Sequence, residues 1–213
     1  MSVSLDGTDD YVDHGDITGV DLCVALTSMA WVYWDAVNAS EGLIGKGGEL
    51  YLYVTAGSLI GSGQSGTWEK TSVAPTAGTW QHWAVVYDGS LAAANRIAIY
   101  LNGVAQALGG TNAGTALSDQ GATTVKVGGN LTGLGYVAGR IGHVRQWLTA
   151  LSVGEIVQEM WSYRPVRTTN LHLCSPYDST PDDYSGAANH GTVTGALYAA
   201  GPPLAYGAPV LIL

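Results

Sequence analysis

The chain contains no phenylalanine, only two cysteines, and few charges: 12% of its 213 residues are Asp, Glu, Lys or Arg. Lys and Arg together number eight, scattered along the sequence. That scarcity excludes the basic footprint that nucleic-acid binding needs to displace counterions from phosphates. Cys23 and Cys174 lie far apart, and two cysteines do not make a disulfide scaffold, so two reduced, buried thiols are expected. The longest nearly apolar run, Leu22 to Trp34, is interrupted by Thr27 and Ser28 and is too short to cross a hydrocarbon core of ~30 Å, so no membrane partner is expected. The opening MSVSLDGTDD has neither the basic nor the apolar region of a secretory signal, and the expectation is a chain without one.

Apolar residues make up 46% of the chain, with 19 Trp and Tyr among them, enough to build a core and to argue against disorder. The formal net charge is −9. Six Asp between residues 1 and 21 (6, 9, 10, 13, 16 and 21) and three between 175 and 190 (178, 182 and 183) account for all of it, because the remainder sums to zero. The charge is therefore two acidic patches on an otherwise neutral chain.

Thirty glycines punctuate the sequence, and between them lie short runs rich in Val, Ile, Thr, Tyr and Trp. This is the pattern of many short strands joined by tight turns. Strands are read at 27–32, 49–54, 80–87, 96–101, 123–127 and 140–147. Asn102-Gly103, between Leu101 and Val104, is a hairpin signal. A single helix is predicted near 152–161: Ser152 and Glu155 form a capping-box pattern, Val153, Ile156, Val157, Met160 and Trp161 recur at helical spacing, and Pro165 ends the segment. One helix in a strand-rich chain predicts an all-β sandwich in one domain, residues 1–213.

Several spaced motifs then resemble one family. Leu5-Asp6-Gly7-Thr8-Asp9-Asp10-Tyr11-Val12 resembles the "FDGxDDYV" strand of the laminin-G-like branch of the concanavalin A-like lectin/glucanase superfamily. Thr27 to Val32 resembles its "TxSAWV" strand, residues 78–89 its "GxWHHVAVVYDG" strand, and residues 99–104 its "IYVNGV" strand. Residues 139–156 resemble "GxIDDVRIYNRALSxxEI". The resemblance implies a two-sheet antiparallel jelly-roll sandwich. Residues 183–196 resemble a "DxSGNGNHGTVTGA" motif that ordinarily precedes the first of these strands, so the chain reads as circularly permuted, with 170–200 supplying the hairpin usually found at the N-terminus. The two acidic segments then become spatial neighbours. The branch often carries a structural Ca²⁺ near these motifs, which implies Asp6, Asp183 and Asn189 as ligands, with Asp10 and Asp182.

The superfamily includes glucanases, so hydrolysis has to be weighed. Retaining glycosidases need two carboxylates ~5 Å apart. None of the five glutamates has an Asp two residues later, which removes the acidic-strand signature of such sites. The five histidines lack the HxxxH and HExxH spacings of zinc sites. What remains is a non-catalytic, lectin-like module binding a glycan or cell-surface polysaccharide. Trp34, Tyr51, Tyr53 and Trp68 are the candidate sugar platforms, while Trp31, Trp80 and Trp147 are read as packing residues. The expected setting is a phage or virus particle, with a homo-oligomer or other virion proteins as partners, and otherwise the cytoplasm. A purely structural virion part is the alternative and a glucanase-type hydrolase the second. The uncharged segment 204–213 is expected to close a sheet as its last strand, with docking on a neighbouring subunit as the alternative.

Overall fold

The computed structural model describes residues 1–204 except 48, 55–59, 65–66, 71–72, 110–115 and 132, and the side chains of 49–51, 60–64 and 67–70 lie outside the description. In chain order the strands are β1 (Ser2–Asp6), β2 (Tyr11–Asp13), β3 (Ala25–Trp34), β4 (Gly42–Lys46), β5 (Glu49–Val54), β6 (Ile60–Gln64), β7 (Thr67–Lys70), β8 (Trp80–Asp88), β9 (Ile97–Leu101), β10 (Val104–Ala105), β11 (Val125–Val127) and β12 (Ala138–Trp147). The helix α1 (Val153–Trp161) follows, then β13 (Leu171–Ser175), β14 (Thr192–Thr194) and β15 (Leu197–Ala199). Among the described residues no helix is long and apolar enough to cross a membrane.

Two antiparallel sheets face each other, as expected. The first runs β10-β9-β8-β3-β12-β1-β15, with β13 also on β12; the second runs β14-β2-β11-β4-β5-β6-β7. The hairpin after β9 has Asn102 at φ 49° and Gly103 at φ 78°, the paired left-handed geometry a two-residue turn needs. Residues 170–200 complete both sheets: β13 pairs with β12, β14 with β2 and β15 with β1. The segment 205–213, expected to be a closing strand, lies outside the described residues.

The alternation of β3 sets the two faces of the first sheet. Leu26, Ala30, Val32 and Trp34 enter the main core between the sheets, against Trp83, Val85, Ile99, Val125, Ile141 and Val144. Met29 faces the other way, into a second apolar cluster with Ala84, Val86, Trp147, Leu151, Ile156 and Leu171. The helix covers that outer cluster. Ser152 caps it through a complete capping box with Glu155, which supplies donors and acceptors to an otherwise open helix end. Burial of Ile156 and Met160 holds its inner side. A buried ion pair then clasps it down. Arg145 Nη1 on β12 lies 2.6 Å from Glu159 Oε2, with both side chains almost wholly excluded from solvent. Glu159 Oε1 also accepts the Val166 and Arg167 N–H groups, and Arg145 donates to the carbonyls of Ser162 and Tyr163. Buried charges persist only when paired and hydrogen-bonded in this way.

Candidate functional site

Two of the expected sugar platforms are core residues. Trp34 is fully buried, and its Nε1 donates to Glu41 Oε2 at 2.9 Å. Tyr53 is 2% exposed. Neither ring offers a face to a ligand. The reason for Trp34 is strand parity: it stands in line with Val32 and Ala30, which point between the sheets. Tyr51 and Trp68 have side chains outside the described residues.

The two acidic segments are indeed neighbours. The Met1 ammonium meets Asp178 at 3.1 Å, and His14 bonds the Asn189 carbonyl through Nδ1 and the Tyr177 hydroxyl through Nε2. Part of their repulsion is relieved by Lys46, a buried side chain whose Nζ lies 2.7 Å from Asp16 and 2.5 Å from Asp21. The five residues implied for Ca²⁺ are not gathered, however. Among the described residues, one acidic group has side-chain oxygens all within 4.8 Å: Asp6, Asp9 and Asp10, in the turn between β1 and β2. Asp10 Oδ2 accepts the Asp6 N–H and Asp6 Oδ1 the Thr8 N–H. Burial and the neighbouring Asp6 and Asp9 push the Asp10 carboxyl up, against the pull of the Asp6 N–H. Asp183 stands elsewhere, buried, and both its oxygens are filled by protein donors: Cys174 N–H, Ser185 N–H, Ser185 hydroxyl and Asn189 N–H. Asn189 spends its amide on the His172 carbonyl, and Asp182 faces His190 at 3.4 Å. A carboxylate satisfied by four donors anchors its loop, and this is the role Asp183 plays here.

An aromatic groove of about 440 Å³ opens on the outer face of the first sheet, beside the C-terminal end of α1. Trp31, Tyr33, Trp80, Asn102, Trp161 and Pro203 line it. Cross-strand register builds it. Trp80, Tyr33 and Arg140 stand side by side on β8, β3 and β12, and the next outward row is His82, Trp31 and Gly142. The Tyr33 and Trp80 rings are tilted against each other with centroids 5.7 Å apart, and Trp31 and Trp161 likewise at 5.5 Å. Trp31 is buried and fixed by an Nε1 hydrogen bond to the Met160 carbonyl at 3.0 Å. Trp161 is 47% exposed, and Tyr33 and Trp80 are half-buried. The Arg140 guanidinium lies over the Tyr33 ring, 4.0 Å from its centroid, and 5.8 Å from that of Trp80. Reading the sequence missed Tyr33, Trp80, Trp161 and Arg140. Trp31 and Tyr33 do alternate with the inward Val32 and Trp34, but apolar residues fill both parities of β3, so alternation alone did not mark them.

One buried histidine packs behind the groove and a second lies near it. His82 packs edge-on against Trp31 at 5.4 Å, and His143 against Tyr163 at 5.2 Å. His82 Nδ1 and His143 Nδ1 have no hydrogen-bond partner among the described residues. Burial, reinforced by the Arg145 guanidinium, lowers both pKa values from 6.5 to about 3. A smaller, more polar hollow of about 300 Å³ lies on the second sheet, around Thr124, Lys126 and Asn130.

The described glutamates are committed to structure. Glu41 accepts from Trp34 and Asn38, Glu155 pairs with Ser152 and Arg167, and Glu159 with Arg145. What the outer face offers chemically is stacking surface, one stacked cation and few other polar groups.

Solved structures share the fold. A protein from Bacteroides ovatus whose proposed role is carbohydrate binding superposes with a TM-score of 0.72 at 16% identity over 92% of this chain, which spans 58% of that protein's length. The CBM40 of Ruminococcus gnavus IT-sialidase, bound to α2,3 sialyllactose, gives 0.56 at 16% identity, covering 74% of this chain and 97% of the module. Domain 4 of AbnA, a GH43 extracellular arabinanase from Geobacillus stearothermophilus, in complex with arabinotriose, gives 0.55 at 17% identity, covering 74% and 75%. No curated protein sequence matches the chain. Residues 6–157, which hold the strands of the groove and most of its helix, match Laminin_G_3, and the chain belongs to this family of the concanavalin A-like lectin/glucanase superfamily.

Proposed function

We propose that the chain is a non-catalytic carbohydrate-binding module whose sugar seat is the aromatic groove of Tyr33, Trp80 and Trp161. The observation that carries this reading is the cluster of partly exposed rings held open on the outer face of a rigid sheet. Pyranose rings present apolar C–H faces that stack on such rings, with a few polar groups fixing orientation. The carbohydrate-binding neighbours of the same fold support it. The glutamates bound up in structural contacts favour binding over hydrolysis.

The test is titration of the protein with a panel of oligosaccharides, followed by Trp80→Ala and Trp161→Ala. Losing one stacking ring is worth about 1.4 kcal/mol, a tenfold weaker Kd. Each variant is expected to lose about that or more while its melting curve stays cooperative. Binding unchanged in both variants refutes the groove. Release of reducing ends from any bound glycan refutes the non-catalytic reading.

A further inference from the structure

We infer that the groove takes an acidic sugar, a residue bearing a carboxylate such as a uronic or sialic acid, with Arg140 as the group that recognises it. This rests on the groove being a sugar seat and adds the chemical class of what occupies it.

Arg140 occupies the middle of a lateral row that crosses five strands on the outer face: Trp80, Tyr33, Arg140, Ser4 and Leu197. Its guanidinium is stacked on Tyr33 and flanked by Trp80. A guanidinium held over a ring is restrained there, and its N–H donors form a fork that can engage a carboxylate through two parallel hydrogen bonds. Those donors are uncommitted: among the described residues Arg140 makes no hydrogen bond and no ion pair. Two other arginines of the chain are treated differently. Arg145 is paired with Glu159 and Arg167 with Glu155. Asp6 stands two residues along β1 on the same face, where it could have answered Arg140, yet its Oδ1 accepts from Thr8. In a chain of net charge −9, a half-buried arginine held over a ring without a carboxylate is a site built for one that arrives from outside. The ring faces beside it supply the stacking surface for the body of the same sugar or its neighbour.

The experiment compares Kd values by titration calorimetry for acidic probes and their carboxyl-reduced, neutral counterparts: oligogalacturonate and 3′-sialyllactose, each with its reduced form. The proteins are the wild type, Arg140→Gln and Arg140→Lys. The wild type is expected to hold at least one acid tenfold or more tighter than its reduced form. Arg140→Gln is expected to bring that ratio to about one. Arg140→Lys, which keeps the charge and loses the fork, is expected to fall between. Equal wild-type binding of acid and reduced form, or a preference that survives in Arg140→Gln, overturns the acidic-sugar inference and leaves the groove standing. Failure of every probe, acidic and neutral, to bind the wild type overturns the groove itself.

Discussion

Lowering the pH from 7 to 5 should strip the protein of stability through two buried imidazoles. His82, behind the groove, and the nearby His143 titrate at about 3 in the folded chain, against an ordinary value of 6.5. Burial is the main cause, and the Arg145 cation adds to it. The folded state keeps both rings neutral, while the unfolded chain takes up a proton on each once the pH drops below 6.5. Stability is therefore full above that value and is lost as the pH falls from 6.5 toward 3. At pH 5 each histidine costs about 2 kcal/mol relative to pH 7, or roughly 4 kcal/mol for the pair, a large part of the ~5–15 kcal/mol that stabilises a typical domain. His14 and His172, also lowered by burial, act in the same direction. Glu41 and Glu159, raised by burial, act in the opposite one. Variants separate these contributions. Asparagine suits position 143, where φ is 51°, and glutamine replaces His82. Urea unfolding of the wild type and of His82→Gln/His143→Asn, at half-unit steps from pH 7 to 5, gives the two slopes. The double variant is expected to start less stable and to lose about 4 kcal/mol less across the range. Parallel slopes for the two proteins would refute the reasoning.

The clasp under the helix gives a second expectation. Glu159→Gln leaves the Arg145 charge buried without its counter-ion, and urea unfolding at pH 7 should show a loss of about 3–5 kcal/mol; a loss under 1 kcal/mol would contradict the buried pair. Chelator addresses the acidic turns. With Asp183 filled by four protein donors, the melting temperature in EDTA should match that in millimolar Ca²⁺ within about 1 °C, while Asp183→Ala in EDTA loses about 2–4 kcal/mol from its orphaned N–H groups. A fall of several degrees on chelation would show a cation holding this end together.

The sheets and the helix were legible because local chemistry and global pattern agreed. Ser152 and Glu155 marked the start of α1, and Asn102-Gly103 marked a turn whose two residues both adopt positive φ. The strand at 80–87 emerges as Trp80–Asp88. The neighbourhood of the two Asp-rich segments was legible from charge and motif order together. The groove was not. Strand β3 is covered on both sides, by the core and by α1, so apolar residues fill both parities and alternation no longer marks the solvent side. A tryptophan near the end of such a strand looks available in sequence, yet Trp34 is buried and Trp80 only half-buried. The Asp183 anchor was invisible for a different reason. An Asp in a Gly-rich turn reads the same whether it ligates a cation or collects backbone N–H groups.

The Arg145–Glu159 clasp also ties recognition to local unfolding. Trp161, the exposed wall of the groove, ends the helix that the clasp holds, and the N–H groups of Val166 and Arg167 end on the same carboxylate. Whatever sugar rests against Trp161 is released when that segment lifts from the sheet. Ligand occupancy must then add RT ln(1 + [L]/Kd) to the free energy of lifting. Amide exchange at 156–167 will slow in step with saturation through this local opening. The helix thus serves as a gauge of how full the groove is, readable without any label on the ligand.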